Sequence, residues 1–295
     1  MRSESEMMNL IMGFAEHDKR VRAVYMNGSR TNPNAPKDIF QDYDIVYVVR
    51  NFEEFKNDHS FIDHFGERLM LQMPEAMRDP LGYGHFNWMM LFRDGNRLDL
   101  TLIPIERPDL ITKDSLTEVL LDKDGILPDF PPANDGDYHV QKPSCLYYDS
   151  CCNNFFWCMQ NVAKGIEREE FPYAMQMFHT VVMQDLHDML SWYIGCKNNF
   201  AVSAGKMGKY FGKFLPEEMY KAYLSCYGGA SKSEMWASVF KACDLFRKAA
   251  KAVAEDLGYS YNESDDKNMM SYITLIVAGA FYEDAKEIPF FNKNK

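Results

Sequence analysis

Three aspartates and one glycine-led turn hold the chemistry this sequence can offer. Asp42 and Asp44 stand two apart in Gln41-Asp42-Tyr43-Asp44-Ile45, and Asp99 lies in Arg97-Leu98-Asp99-Leu100-Thr101. On an extended strand, residues two apart face the same side. Two carboxylates so placed repel unless a cation sits between them. A hard divalent ion such as Mg²⁺ takes oxygen ligands and keeps positions open for substrate phosphates. The plainer alternative for this pair is an Asx-rich turn ahead of a strand. Asp99 tips the balance. Leu98, Leu100 and Leu102 alternate on one strand face, which leaves Asp99 on the other, in mid-strand, where an unpaired acid is costly. Three carboxylates gathered on adjacent strands suit two-metal phosphoryl or nucleotidyl transfer. The turn Met26-Asn27-Gly28-Ser29-Arg30 complements them. Gly28 permits a backbone path that a Cβ blocks. Ser29 offers a hydroxyl and an N–H, and Arg30 a planar cation matched to phosphate oxygens.

The flanking segments must position these groups. Val21 to Tyr25 reads as a short strand leading into the turn. Asn32, Pro33, Asn34, Pro36 and Lys37 mark a loop, and Ile45 to Val49 reads as the strand leaving Asp44. Ahead of them, Ser3-Glu4-Ser5-Glu6 fits a capping box, and Met7, Leu10, Ile11 and Phe14 form one apolar stripe at helical spacing. Residues 52–70 read as one helix with Phe55, Phe61, Ile62, Phe65 and Leu69 as its apolar set, and 74–84 as loop. His85 to Phe92 is a strand that Asp94-Gly95-Asn96 turns back into the Asp99 strand. Pro104, Pro108, Pro128, Pro131, Pro132 and Pro143 punctuate the next forty residues, with Leu116 to Leu121 as a further helix and Tyr138 to Val140 as a short strand. Beyond a boundary near residue 143, strand signals vanish. Helices are expected over 148–169, 173–195, 206–214, 216–227, 233–258 and 266–282, with Glu263 to Asp266 as a solvated loop. The expected fold class is α+β: a small mixed sheet backed by helices over 1–143, then an all-α bundle over 144–295. The absence of a long β-α-β alternation disfavours a doubly wound sheet.

Gly28-Ser29, Asp42-Tyr43-Asp44 and Leu98-Asp99-Leu100 together resemble the signature of the polymerase-β-type nucleotidyltransferase superfamily, in order and in spacing. A closer resemblance runs through most of the chain. Met1-Arg2-Ser3-Glu4, Gly28 to Asn32, Phe40 to Asp44, Leu98 to Leu102, Cys151-Cys152-Asn153 and Asp244 to Lys248 resemble the aminoglycoside 6-adenylyltransferases. The resemblance implies an N-terminal catalytic domain and a helical substrate-binding domain. It implies AMP transfer from ATP to a hydroxyl of streptomycin, with release of pyrophosphate and antibiotic resistance as the outcome. Asp42 and Asp44 would hold Mg²⁺ with Asp99 as third carboxylate and general base; Gly28, Ser29 and Arg30 would hold the phosphates. Lys206 and Lys209, in Gly205-Lys206-Met207-Gly208-Lys209, would reach the triphosphate from the second domain, although this stretch lacks P-loop spacing. Glu169 and Glu170 read as a solvated helix end, with binding of a guanidinium as the alternative, and Glu170 falls at a matching family position; the rival base is a glutamate of the helical half. Asn27 and Asn154 stand where the family has glutamate, and Met183 where it has arginine. These departures bear on the acceptor and leave the reaction motif intact.

Composition narrows the partners. A net charge of −11 argues against nucleic acid, which selects a basic footprint, and suits a cationic small molecule. The 295 residues are 46% hydrophobic, enough for real cores. Seven cysteines without a C-x-x-C favour reduced, buried thiols and a cytoplasmic location over a disulfide scaffold. No apolar run reaches membrane-span length and no signal peptide is visible. His179 and His187 read as surface or satisfied histidines, and Trp192 and Tyr193 as core, with one of them lining a sugar pocket as the alternative. The rival functions are a nucleotidyltransferase with another small-molecule acceptor, a toxin- or antitoxin-type enzyme modifying protein or tRNA, and a non-catalytic binding module.

Overall fold

The computed structural model describes residues 1–78, 82–111 and 113–279. It forms two compact units, Met1–Asp137 and the chain from Tyr138 onward.

The first unit opens with α1 (Glu4–His17), whose start is fixed by the expected capping box. Ser3 Oγ accepts from the Glu6 N–H, and Glu6 Oε2 accepts from the Ser3 N–H at 2.7 Å. Among the described residues six strands come next: β1 (Val21–Asn27), β2 (Tyr43–Val49), β3 (Arg68–Gln72), β4 (Phe86–Phe92), β5 (Arg97–Pro104) and β6 (Glu118–Asp122). They form one mixed sheet in the order β3-β4-β5-β2-β1-β6, in which β2 and β5 are parallel and the other pairs antiparallel. Side-chain alternation divides the sheet into two faces. Tyr43, Ile45, Tyr47, Leu98, Leu100 and Leu102 join Met7 and Ile11 of α1 in the main core. Ala23, Tyr25, Val46, Val48 and Ile103 form a smaller cluster on the opposite face. Asp44 shares its face with Val46, and Asp99 shares its face with Thr101 and Ile103. The acids therefore stand where the smaller apolar cluster stops.

Several sequence expectations for this unit are overturned. Residues 52–70 are not one helix. A short α2 (Phe52–Asn57) ends where the Asp58 carboxylate takes the Ser60 N–H, a 3₁₀ segment covers His59–Phe65, and Gly66 at φ +116° turns the chain into β3. Leu69, expected in the helix core, is exposed on that edge strand. Residues 74–84 contain a 3₁₀ turn at Pro74–Ala76, and 79–81 lie outside the described residues. The expected 116–121 helix is not formed: from Glu118 onward it is strand β6, because the free edge of β1 offers it a hydrogen-bonding partner. A stretch this short cannot repay helix nucleation alone. Tyr138–Val140 is not a strand: Gly136–Tyr138 is a 3₁₀ turn, and the Val140 N–H donates to the Val202 carbonyl at 2.9 Å.

The second unit is helical. Its helices are α3 (Cys145–Glu167), α4 (Phe171–Met177), α5 (Met183–Lys197), α6 (Phe211–Phe214), α7 (Glu217–Leu224), α8 (Lys232–Leu257) and α9 (Glu263–Val277). Phe155 of α3 stacks on Phe246 of α8 with centroids 3.8 Å apart at the centre of one core. A π turn over Phe178–Val182 interrupts the expected 173–195 helix. Residues 206–210 do not begin an α-helix: Lys206–Gly208 is a 3₁₀ turn, Gly205, Met207 and Gly208 all have positive φ, and only 211–214 are α-helical. Glu263 to Asp266 are the first turn of α9 and not a solvated loop. Asp266 is buried because Arg247 Nε and Nη2 donate to it at 2.5 and 2.7 Å and the Tyr261 hydroxyl at 2.8 Å. The expected continuation of this helix over 280–282 lies outside the described residues.

Candidate active site

β1 delivers the chain to Gly28, where φ is +81° and a 3₁₀ turn runs to Arg30. A Cβ on Gly28 would collide with Asp44 Oδ2. The glycine is thus required twice, once for its backbone angle and once because a carboxylate occupies the space beside it. Thr31 Oγ1 lies 2.9 Å from the Gly28 carbonyl and 2.6 Å from the Leu116 carbonyl, which ties the turn to the segment before β6. Asn27 accepts from the Thr117 hydroxyl at 2.9 Å.

The loop after the turn is closed by its own side chains. Gln41 Nε2 donates to the Ser29 carbonyl at 2.9 Å. Arg30 donates from Nη2 to the Gln41 carbonyl at 2.9 Å and from Nε to the Asp42 carbonyl at 3.1 Å. Its guanidinium carbon stands 3.7 Å from the centroid of the Tyr43 ring, and its Nη1 stands 3.3 Å from Glu4 Oε2. With only 10% of its side chain exposed, Arg30 is committed to holding Asp42 in place. A phosphate would have to compete for a guanidinium already engaged on both edges.

Parallel pairing of β2 with β5 sets Asp44 directly beside Asp99. Asp42 precedes Asp44 by two and lies within electrostatic reach of both. Burial pushes the Asp44 carboxyl up to about 6, and the charges of Asp99 and Asp42 push the same way; Arg97 and Arg30 oppose them. Asp42 is raised for the same first reason, burial, with Asp99 adding to it and Arg97 opposing. The sequence motif singles out the three acids and passes over Arg97. Arg97 grips Asp99 with two parallel bonds, Nε to Oδ1 at 2.8 Å and Nη2 to Oδ2 at 2.7 Å, and reaches Asp42 Oδ2 at 3.5 Å. The clue lies in the spacing, since residues 97 and 99 of one strand share a face.

The donor set suits a hard divalent cation: carboxylate oxygens gathered from two adjacent strands, with Asp42 and Asp44 both raised by burial and by the charge of Asp99. Among the described residues, however, no three His, Cys, Asp or Glu side chains form a ready-made cage around one point. Both Asp99 oxygens are instead directed to the Arg97 guanidinium.

The structure brings together Gly28, Ser29, Asp42, Asp44 and Asp99 in the first unit. Lys206 and Lys209 belong to the second unit. Lys206 opens the positive-φ turn, and Lys209 Nζ stands 5.1 Å from the Tyr210 ring centroid. A cavity of about 630 Å³ in the second unit is lined by Tyr147, Asp188, Ser191, Trp192, Lys142 and Lys206. Elsewhere in the second unit, burial pushes Asp185 up to about 7, and Asn154 donates to its carboxylate at 2.8 Å. Met183 is buried in the helical core, as is most of Trp192. A second cavity, about 790 Å³, lies at the opposite ends of β2 and β5 near Asn51 and Pro104, away from the aspartates. No helix among the described residues is long and apolar enough to cross a membrane.

The chain is similar to known proteins. Residues 1–276 match the streptomycin adenylyltransferase family. The chain is 41% identical to an aminoglycoside 6-adenylyltransferase of Campylobacter jejuni over 269 residues, covering 90% of this chain and 93% of that one. It is 40% identical to its counterpart in Bacillus subtilis over 270 residues, 90% of this chain and 95% of the relative. For the Staphylococcus aureus enzyme the identity is 34% over 278 residues, 92% and 98% of the two chains. A crystal structure of a Bacillus subtilis aminoglycoside 6-adenyltransferase is similar at 35% identity, over 94% of this chain and 99% of that one, with a TM-score of 0.47. With a family match over nearly its whole described length, and relatives this similar over nine-tenths of it, the chain belongs to the streptomycin adenylyltransferase family of nucleotidyl-transferring enzymes.

Proposed function

We propose that the protein transfers AMP from ATP to a hydroxyl of an aminoglycoside, with the 6-hydroxyl of streptomycin as the foremost candidate, releasing pyrophosphate and conferring resistance. The observation that supports it most is the pairing of Asp44 with Asp99 on parallel neighbours, with Asp42 two residues ahead and the Gly28 turn against Asp44. Mg²⁺, held by Asp42 and Asp44 with Asp99 as third ligand, would neutralise charge on the phosphates when bound.

The chain's own groups do the rest. The Gly28–Ser29 turn offers its N–H groups and the Ser29 hydroxyl to the β- and γ-phosphates. Arg30 contributes by fixing the Gln41–Asp42 backbone that presents the first carboxylate. Asp99 takes the proton of the acceptor hydroxyl as its oxygen bonds to the α-phosphorus; the bond to the pyrophosphate oxygen breaks, and pyrophosphate leaves. Lys206 and Lys209 contribute compact positive charge toward the triphosphate. The net charge of −11 supports a cationic acceptor over protein-bound or free nucleic acid. A domain boundary near residue 143, a catalytic N-terminal domain, a helical acceptor-binding domain and a cytoplasmic location complete the reading.

The test is pyrophosphate release from Mg²⁺-ATP across a panel of aminoglycosides, with Asp99→Asn as control. Release that depends on streptomycin and collapses in the variant is expected. Release that survives Asp99→Asn defeats the assigned base. Activity on a different amino-sugar alone moves the acceptor and leaves the chemistry standing.

A further inference from the structure

Arg97 occupies the middle of the acidic site, yet the proposed reaction gives it no role. It opens β5 directly after the Asp94-Gly95-Asn96 turn, so its side chain and that of Asp99 share one strand face. Its two-pronged contact with Asp99 is the geometry in which guanidinium and carboxylate bind most strongly. The same group approaches Asp42 at 3.5 Å, while Asp44 takes no ion pair among the described residues. The other nearby guanidinium, Arg30, is spent on two backbone carbonyls, on Glu4 and on the Tyr43 ring. Three carboxylates with one guanidinium bonded directly to them keep an excess of negative charge, which a divalent cation would balance. Arg97 also has room to swing away: 39% of its side chain is exposed, against 20% for Asp99.

We propose that Arg97 is a built-in counter-ion that latches Asp99, and secondarily Asp42, in the metal-free protein and must release Asp99 before a divalent cation takes it. The inference rests on the proposed function, since it concerns the same three carboxylates. It makes Arg97 a positioning residue. It holds the carboxylates together without a cation and weakens cation binding by competing for the same oxygens. A purely structural salt bridge makes the opposite prediction, because its loss would loosen the site and weaken cation binding.

The experiment is Mn²⁺ binding to the intact protein without nucleotide, measured by electron paramagnetic resonance, for wild type, Arg97→Gln, Arg97→Lys and Asp44→Asn. Thermal unfolding in EDTA is run alongside. Arg97→Gln is expected to bind Mn²⁺ at least about tenfold more tightly than wild type. It should also unfold at a lower temperature in EDTA, with the difference reduced by Mn²⁺. Arg97→Lys keeps the charge and loses the bidentate grip, and is expected to fall between the two. Asp44→Asn is expected to lose binding. Equal or weaker Mn²⁺ affinity in Arg97→Gln overturns the latch, as does an Arg97→Lys variant indistinguishable from wild type. Acceptor-dependent pyrophosphate release, measured separately on wild type, decides the functional reading, so the two can fail independently.

Discussion

Gly28 carries the sharpest residue-level consequence. Its φ of +81° and the Asp44 carboxylate beside its Cα leave no room for a side chain. Gly28→Ala is expected to displace Asp44 and cut turnover by about 100-fold or more while the protein still folds, the range typical of a misplaced catalytic group. Steady-state kinetics alongside circular dichroism check this; near-normal turnover would show that Asp44 has slack. A second residue makes a pH prediction. Burial raises Asp185 from its ordinary 3.8 to about 7, so its neutral form is the one the fold favours. Its stabilising contribution is complete below the unfolded value and is lost as pH climbs through the shifted one. Asp185→Asn should therefore flatten the stability profile between about pH 4 and 7. At pH 8 it should be more stable than wild type by about 1–2 kcal/mol, after allowing for solvent at a half-buried site. Urea titrations across that range would expose an unchanged slope. At this scale the sequence is informative about which acids gather and uninformative about Arg30 and Arg97. A cation next to a phosphate motif reads as a phosphate ligand. Only the folded chain reveals that Arg30 is already engaged by two carbonyls, Glu4 and an aromatic ring, and that Arg97 is engaged by two carboxylates.

Among elements, the decisive one is the β2–β5 pair. Alternation in Arg97 to Ile103 is enough to put Leu98, Leu100 and Leu102 inward and Asp99 outward, and that is how the strand lies. What alternation alone does not convey is register, and the Asp44–Asp99 match is a register fact. Pattern misleads where a partner decides the state of a segment. β6 is a strand because β1 has an edge to fill, and 52–70 breaks first where the Asp58 carboxylate takes the Ser60 N–H and again at Gly66, whose positive φ no apolar stripe reveals. The acidic start of α9 belongs to the same class. An Asp265-Asp266 run looks solvated until Arg247, nineteen residues earlier on α8, buries one member of it. That pair yields a stability prediction. Arg247→Met would strand a buried carboxylate and should lower unfolding free energy by about 3 kcal/mol at neutral pH. Chemical denaturation measures it, and a loss under about 1 kcal/mol would mean that Asp266 finds water instead.

For the molecule as a whole, charge is the property that reaches beyond any contact. A net −11 concentrates cations near the surface, so capture of a cationic amino-sugar should be steered by it. As ionic strength shortens the Debye length from about 30 Å to about 8 Å, kcat/KM for the acceptor is expected to fall several-fold. A salt-independent kcat/KM would remove charge as a determinant of acceptor choice. The two compact units are legible in outline because strand signals stop and helical periodicity takes over. The acceptor itself is not legible, since Asn27, Asn154 and Met183 are each satisfied inside their own unit by Thr117, Asp185 and the helical core. The central claim is that Asp42, Asp44 and Asp99 act together on one nucleotide. Its most direct test is mass-spectrometric detection of adenylylated streptomycin, with pyrophosphate quantified, for wild type and for each Asp→Asn variant at those positions. Product is expected with wild type, and a loss of about 1,000-fold or more in each variant, with folding retained. Product formed at the wild-type rate by Asp44→Asn would contradict the claim.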